Sequence, residues 1–203
     1  HAAQNYDCRV TTTTISREQH DWARGRVEQA GLLQSGQVTL LLEDYRNLTG
    51  TYDKLVSVEM IEAVGLQFLD TYFRICSERL KPAGRMLLQS ITIADRYHEQ
   101  AMHAVDFIQK YIFPGGALPS ISAISSAVAR VTDLQISHLH DIGIDYARTL
   151  RIWRERFMNR LPEVRSLGYP DEFIRMWEWY LLYCEAGFLE RAISTVQLVF
   201  DKP

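Results

Sequence analysis

The chain has 203 residues, 47% of them hydrophobic and 23% charged, a balance that supports a folded domain with a sizeable core. A formal net charge of -3 and a pI near 6.1 argue against nucleic acid as the main partner, because such binding neutralises phosphates with a basic surface. No apolar run reaches the roughly eighteen residues that a membrane-spanning helix needs, and no secretory signal pattern is visible. The three cysteines, Cys8, Cys76 and Cys184, form neither a metal spacing nor a disulfide framework and read as small buried thiols of a reducing cytosol.

The first residue is His1, and HAAQNY reads as the tail of a helix that begins elsewhere, so the chain reads as a fragment. Cys8 to Ser16, rich in β-branched residues, reads as a strand. Arg17 to Ala30 reads as a helix stopped by Gly31, with Ser16 and Gln19 spaced as a capping box. Val38 to Leu42 and Lys54 to Val58 are short apolar strands. Leu66, Leu69, Phe73 and Leu80 mark a helix that breaks at Lys81-Pro82-Ala83-Gly84. Arg85 to Ile93 is a fourth strand. The alternation of continuously apolar strands with helices predicts a parallel sheet covered on two faces.

Beyond Tyr97 helices dominate. One runs from about Asp145 to Leu161 and another from about Asp171 to Arg191; a strand is expected near Leu134 to His138. Ser194 to Phe200 alternates as an edge or late strand. The loop Phe113-Pro-Gly-Gly-Ala-Leu-Pro119 is either a lid over an apolar substrate or a rigid turn, and Phe107, Ile108, Tyr111 and Ile112 before it form an aromatic face.

In a parallel sheet, ligands bind where the strands end, and polar residues sit at those places. Thr14 to Gln19 either offers hydroxyls and free N–H groups to a polar ligand or simply caps a helix. Glu43-Asp44-Tyr45-Arg46 either holds a ribose and stacks a base or is a solvated turn. Glu59 and Glu62, three apart, share a face if their segment is helical, either as active-site acids or as acids favoured by the helix dipole. The arginines from Arg148 to Arg160 face anionic head groups or pair with Glu155 and its neighbours. On the last helix, Phe173, Met176, Trp177, Tyr180, Leu181, Cys184 and Phe188 form a core stripe, with Trp179 and Tyr183 off it. The six histidines show no ligand pattern, so no metal is expected.

The segments CRVTTTTISREQ, LLLEDYRNLTGTYDKLVSVEMIEAVG, RLKPAGRMLLQSITI, FIQKYIFPGGALPS, DIGIDYARTLRIWRERF and WEWYLLYCEAGF are spread in this order along nearly the whole chain. Together they resemble the cyclopropane-fatty-acyl-phospholipid synthase family. The resemblance implies an α/β class I methyltransferase with a Rossmann-like sheet flanked by helices. It implies one domain over residues 1–203, with 97–131 and 143–191 as mainly helical segments that enclose lipid. It implies S-adenosylmethionine as cofactor, contacted by Thr14 and Gln19, with Asp44 and Tyr45 by the adenine. It places Glu62 in a bicarbonate site near the transferred methyl, with Tyr146 and the Ile91 backbone as companions. The partners implied are phospholipid acyl chains at a membrane surface, and the location is cytoplasmic, peripheral to the inner face.

Two departures stand out. Gln89 occupies the place of a family histidine, and a glutamine hydrogen-bonds an anion but shuttles no proton. The glycine-rich first motif and its strand are missing; in the family that strand lies between those at Cys8–Ser16 and Lys54–Val58. Edges left unpaired and buried there cost about 1–3 kcal/mol per orphaned group. The flanking strands are thus expected to distort, to meet, or to borrow a strand from a second copy in a homodimer. The expected reaction is methyl or methylene transfer to an unsaturated acyl chain. The alternatives are methylation of a small molecule and a catalytically incapable fragment.

Overall fold

The computed structural model describes residues His1–Pro203. The chain divides into two compact units, His1–Gly50 and Thr51–Pro203. The first unit opens with helix α1 (Ala2–Tyr6), then strand β1 (Val10–Thr14), helix α2 (Arg17–Gln29) and strand β2 (Val38–Leu42). β1 and β2 pair in parallel, Val10 with Val38 through Thr14 with Leu42. α2 starts because the Ser16 side chain accepts the Gln19 N–H, and it stops at Gly31, whose φ of +70° suits only glycine comfortably. The expected capping box is only half made. The Gln19 side chain takes the Thr14 hydroxyl at 2.8 Å instead of the Ser16 N–H, which goes to Thr14 Oγ1.

The second unit contains β3 (Tyr52–Val58), α3 (Leu69–Glu78), β4 (Leu80–Ile93), α4 (Asp95–Met102), α5 (Phe107–Tyr111) and α6 (Ile121–Val131). It continues with β5 (Gln135–Asp141), α7 (Gly143–Met158), α8 (Leu161–Ser166), α9 (Asp171–Leu189) and β6 (Ile193–Asp201). Its sheet runs β3-β4-β6-β5. β3 and β4 are parallel, but β6 is antiparallel to both β4 and β5, so the sheet is mixed rather than parallel. The last strand is not an edge; it is interior, between β4 and β5. The break at Lys81–Gly84 is a register shift inside β4, where Ala83 takes φ +59°, and not a loop. β1 and β3, the strands expected to flank a missing one, do not pair with each other and belong to separate sheets.

Alternation along β4 and β6 decides the two faces of this sheet. Met86 and Leu88 pair with Phe200 and Leu198, and all four are fully buried. Phe73 of α3 meets Phe200 with ring centroids 6.0 Å apart, and Tyr72 is buried beside it. Each such aromatic contributes about 1.5–3 kcal/mol by leaving water. Asp70 of α3 holds Arg130 of α6 at 2.6 Å, tying these two helices. The opposite face carries Ile91 and Ile193 against Ala147 and Leu150 of α7 and Leu181 and Phe188 of α9.

α7 is anchored at its first residue. Asp141 accepts the Gly143 N–H at 2.9 Å and the Ser194 hydroxyl at 2.6 Å. A Cβ at Gly143 would collide with Ser194 Oγ, so glycine lets the helix start this close to β6. Arginines of α7 do not pair with Glu155. Arg151 reaches the buried Glu185 of α9 at 2.7 Å, and Arg154 approaches it at 3.8 Å. Trp179 and Tyr183, off the α9 stripe, are largely exposed, and Tyr183 meets Phe107 of α5 with ring centroids 6.0 Å apart.

Candidate functional site

The two parallel strands of the second unit end side by side, with Val58 opposite Gln89. β3 then turns sharply at Glu59, which adopts φ +49°, while its N–H stays on the Gln89 carbonyl at 2.9 Å. This backbone turn points the Glu59 carboxylate at two donors. Gln89 Nε2 donates to Oε1 at 2.8 Å, and the Tyr146 hydroxyl donates to Oε2 at 3.0 Å. Gln197 Nε2 in turn donates to Gln89 Oε1 at 2.9 Å, which sets the orientation of that amide.

Glu62 lies in a single 3-10 turn, Ile61–Ala63, so the two acids do not share a helix face. Its Oε1 accepts the Ile91 N–H at 2.6 Å and the Ser90 hydroxyl at 3.0 Å. Its Oε2 is buried and accepts no hydrogen bond. Burial pushes this carboxyl above the usual carboxylate range, and the neighbouring Glu59 charge adds to the rise. Burial, then the Glu59 charge, pushes the Tyr146 phenol well up, so it remains a hydrogen-bond donor. Tyr180 is pushed up to about 12 for the same first reason.

An apolar wall stands next to these groups. The Tyr146 ring stacks on Phe188 at 4.8 Å, and Trp177, Tyr180 and Cys184 pack on the same cluster. The Phe113–Pro119 loop is tied to the site by its backbone, for Ala117 N–H donates to the Glu62 carbonyl at 2.9 Å. Gln109 holds the loop from the other side through Gly116 O at 3.0 Å, and Phe113 meets Tyr180 edge to face at 6.3 Å.

Of the residues singled out in sequence, Glu62, Ile91, Gln89 and Tyr146 therefore come together, though Tyr146 bonds Glu59 and not Glu62. Glu59 was already a candidate acid but without a partner, whereas Ser90 and Gln197 were missed as site residues. Position alone was a signal for Glu59, since it is the first residue beyond an apolar strand. In the first unit, Thr14 and Gln19 line a cavity of about 200 Å³ with His20 and Leu41. Asp44 and Tyr45 do not line it. Asp44 caps the turn Tyr45–Asn47 and takes Arg46 through both oxygens, at 2.9 and 2.7 Å. The Arg46 guanidinium holds the Asp44 carboxyl below its usual range, so it is an ionised acceptor.

A sequence model described as mycolic acid cyclopropane synthetase matches residues 1–198. The chain belongs to the mycolic acid cyclopropane synthetase family. It is 44% identical over 188 residues to tuberculostearic acid methyltransferase UfaA1 of Mycobacterium tuberculosis, covering 93% of this chain and 44% of that protein. It is 40% identical over 200 residues to the cyclopropane-fatty-acyl-phospholipid synthase of Escherichia coli K12, covering 98% of this chain and 49% of that one. The chain thus spans about half the length of these relatives. Mycolic acid cyclopropane synthase CmaA1, solved with SAH and CTAB, superposes with a TM-score of 0.88 at 24% identity, over 99% of this chain and 72% of that one. That likeness establishes the class I methyltransferase fold.

Within this family member the donor sets decide which small molecules suit the chain. For a nucleoside cofactor the first unit has suitable groups: an ionised acceptor at Asp44, whose two oxygens keep further lone pairs beyond those given to Arg46, and an amide at Gln19 whose oxygen accepts from Thr14. For bicarbonate the second unit does not fit. The Ile91 N–H is accepted by Glu62, and the Tyr146 hydroxyl and Gln89 amide are accepted by Glu59. The chain's own carboxylates thus take the three donors that the family resemblance assigned to the anion.

Proposed function

We propose that this protein transfers a methyl or methylene group from S-adenosylmethionine to an unsaturated acyl chain of a phospholipid. The observation that carries this reading is the gathering of two acids at the strand ends, Glu59 bonded to the Tyr146 phenol and Glu62 to the Ile91 N–H, beside the aromatic wall of α7 and α9. Thr14, Gln19, Asp44 and Tyr45 are assigned to the cofactor, which supplies an electrophilic sulfonium methyl when bound.

An alkene is a weak nucleophile, so the acceptor must be held dry and in line. Tyr146, backed by the buried Phe188, supplies with Trp177 and Tyr180 an apolar, π-rich surface for it. Attack leaves positive charge on the acyl chain, and carboxylates and ring faces stabilise that charge. Glu62 supplies negative charge while its bond to Ile91 N–H holds it in place. Residues 97–131 and 143–191 are assigned to covering the acyl chain within one methyltransferase domain. No helix is long and apolar enough to cross a membrane. Peripheral binding at the cytoplasmic membrane face is supported by exposed Trp153 and Trp179 on two arginine-bearing helices.

The full-length protein, given methyl-labelled S-adenosylmethionine and vesicles of unsaturated phospholipid, adds one labelled carbon per modified acyl chain by mass spectrometry. A second reading, methylation of a small polar acceptor, is favoured by the hydrogen-bonding Glu59–Gln89–Gln197 chain. Label in soluble acceptors with none in the lipid would select it and overturn the first.

A further inference from the structure

Glu59 sits in a backbone conformation that suits a glycine. Its φ of +49° is among only four positive values at non-glycine residues in the chain. An L side chain there costs about 1 kcal/mol, and such outliers persist where the surroundings hold them for a purpose. The surroundings here hold the carboxylate itself: one oxygen takes the Gln89 amide and the other the Tyr146 phenol. Gln89 is fixed by Gln197 on the neighbouring strand, so three elements converge to orient one side chain. Neither donor can give up a proton readily. An amide has none to lose near neutral pH, and the phenol is pushed well above its usual value. Glu59 is therefore the proton acceptor of the set.

We propose that Glu59 is the internal base of the acyl transfer and that it occupies the place an external bicarbonate would take. The inference rests on the acyl-transfer reading above. In the step, the π pair of the alkene forms the new C–C bond to the methyl, the C–S bond breaks, and its electrons leave with S-adenosylhomocysteine. The acyl chain becomes a carbocation. Glu59 removes a proton, either from the new methyl or from an adjacent carbon. The released C–H pair closes a cyclopropane ring in the first case and a double bond in the second. Glu59 becomes a carboxylic acid and returns its proton to water.

Two variants of the full-length protein test this. Glu59→Gly suits the backbone, which offsets part of the loss of the two hydrogen bonds, and it vacates the place of the carboxylate. Glu59→Gln keeps the space filled but accepts no proton. Wild-type turnover on unsaturated vesicles is expected to be the same in carbon-dioxide-free buffer and with added bicarbonate. Both variants are expected to lose at least about a hundredfold in turnover. Bicarbonate is expected to restore Glu59→Gly and to leave Glu59→Gln unrestored. An independent readout uses 13C-labelled bicarbonate in NMR: its line broadens with Glu59→Gly and not with the wild type. Wild-type turnover that falls on removing bicarbonate, or a broadened line with the wild type, overturns the proposal, as does full activity of Glu59→Gln. If the wild type modifies no acyl chain at all, the acyl reading fails, while the NMR comparison still reports whether Glu59 fills the anion's place.

Discussion

Glu62 pairs function with instability. Its buried Oε2 has no partner, and burial raises its pKa. A carboxyl raised in the folded state favours folding fully below the ordinary carboxylate range and loses that contribution as the pH rises through the folded value. Glu62→Gln removes the buried charge while keeping an acceptor for Ile91 N–H. Its Tm relative to the wild type is therefore expected to be more favourable at pH 8 than at pH 4. Melts at the two pH values check this, and a pH-independent difference would refute the assignment of a desolvated charge. In the same variant, acyl turnover is expected to fall by at least about tenfold, reflecting lost charge beside the developing cation. Glu62 was legible in sequence through its family motif. Glu59 was harder to see, because its role depends on a positive φ and on Gln89 and Tyr146, respectively 30 and 87 residues away in the chain.

Among the elements, α5 and the loop after it show how one side chain can set a local structure. Gln109 closes a capping box with Asp106 and also holds Gly116 O. Glycine at 116 eases this approach, since a Cβ there would lie a tight 3.1 Å from Phe113 O. The loop then delivers the Ala117 N–H to the Glu62 carbonyl. Gln109→Ala is expected to speed hydrogen exchange at Ala117 by about fivefold or more, as befits a loss near 1 kcal/mol, with exchange in β4 and β6 unchanged. Equal acceleration in the strands would mean that the change unfolds the unit rather than freeing the loop. The glycines and prolines of this segment marked a loop in the sequence, but both a lid and a rigid turn were open. Backbone hydrogen bonds to Glu62 and Gln109 decide that it is a fastened turn.

At the scale of the molecule the two units differ in how much they bury. In His1–Gly50 the only buried hydrophobic residue is Ala3, whereas Thr51–Pro203 buries Tyr72, Phe73, Met86, Leu88, Leu198 and Phe200 around one sheet. In this 203-residue chain, amides of β1 and β2 are expected to exchange well before those of β4 and β6, since local stability follows buried apolar contact. Comparable protection in both, measured by mass spectrometry, would contradict this. Sequence by itself determined the strand and helix order, the family, and the polar residues placed at strand ends, because periodicity, turn residues and local motifs are short-range properties of the chain. Only tertiary structure decided that the last strand enters the sheet antiparallel between β4 and β5, that Arg151 crosses to Glu185, and that Tyr146 meets Glu59. Those outcomes depend on strand pairing and helix packing between residues far apart in sequence, where local preference carries no information about the partner.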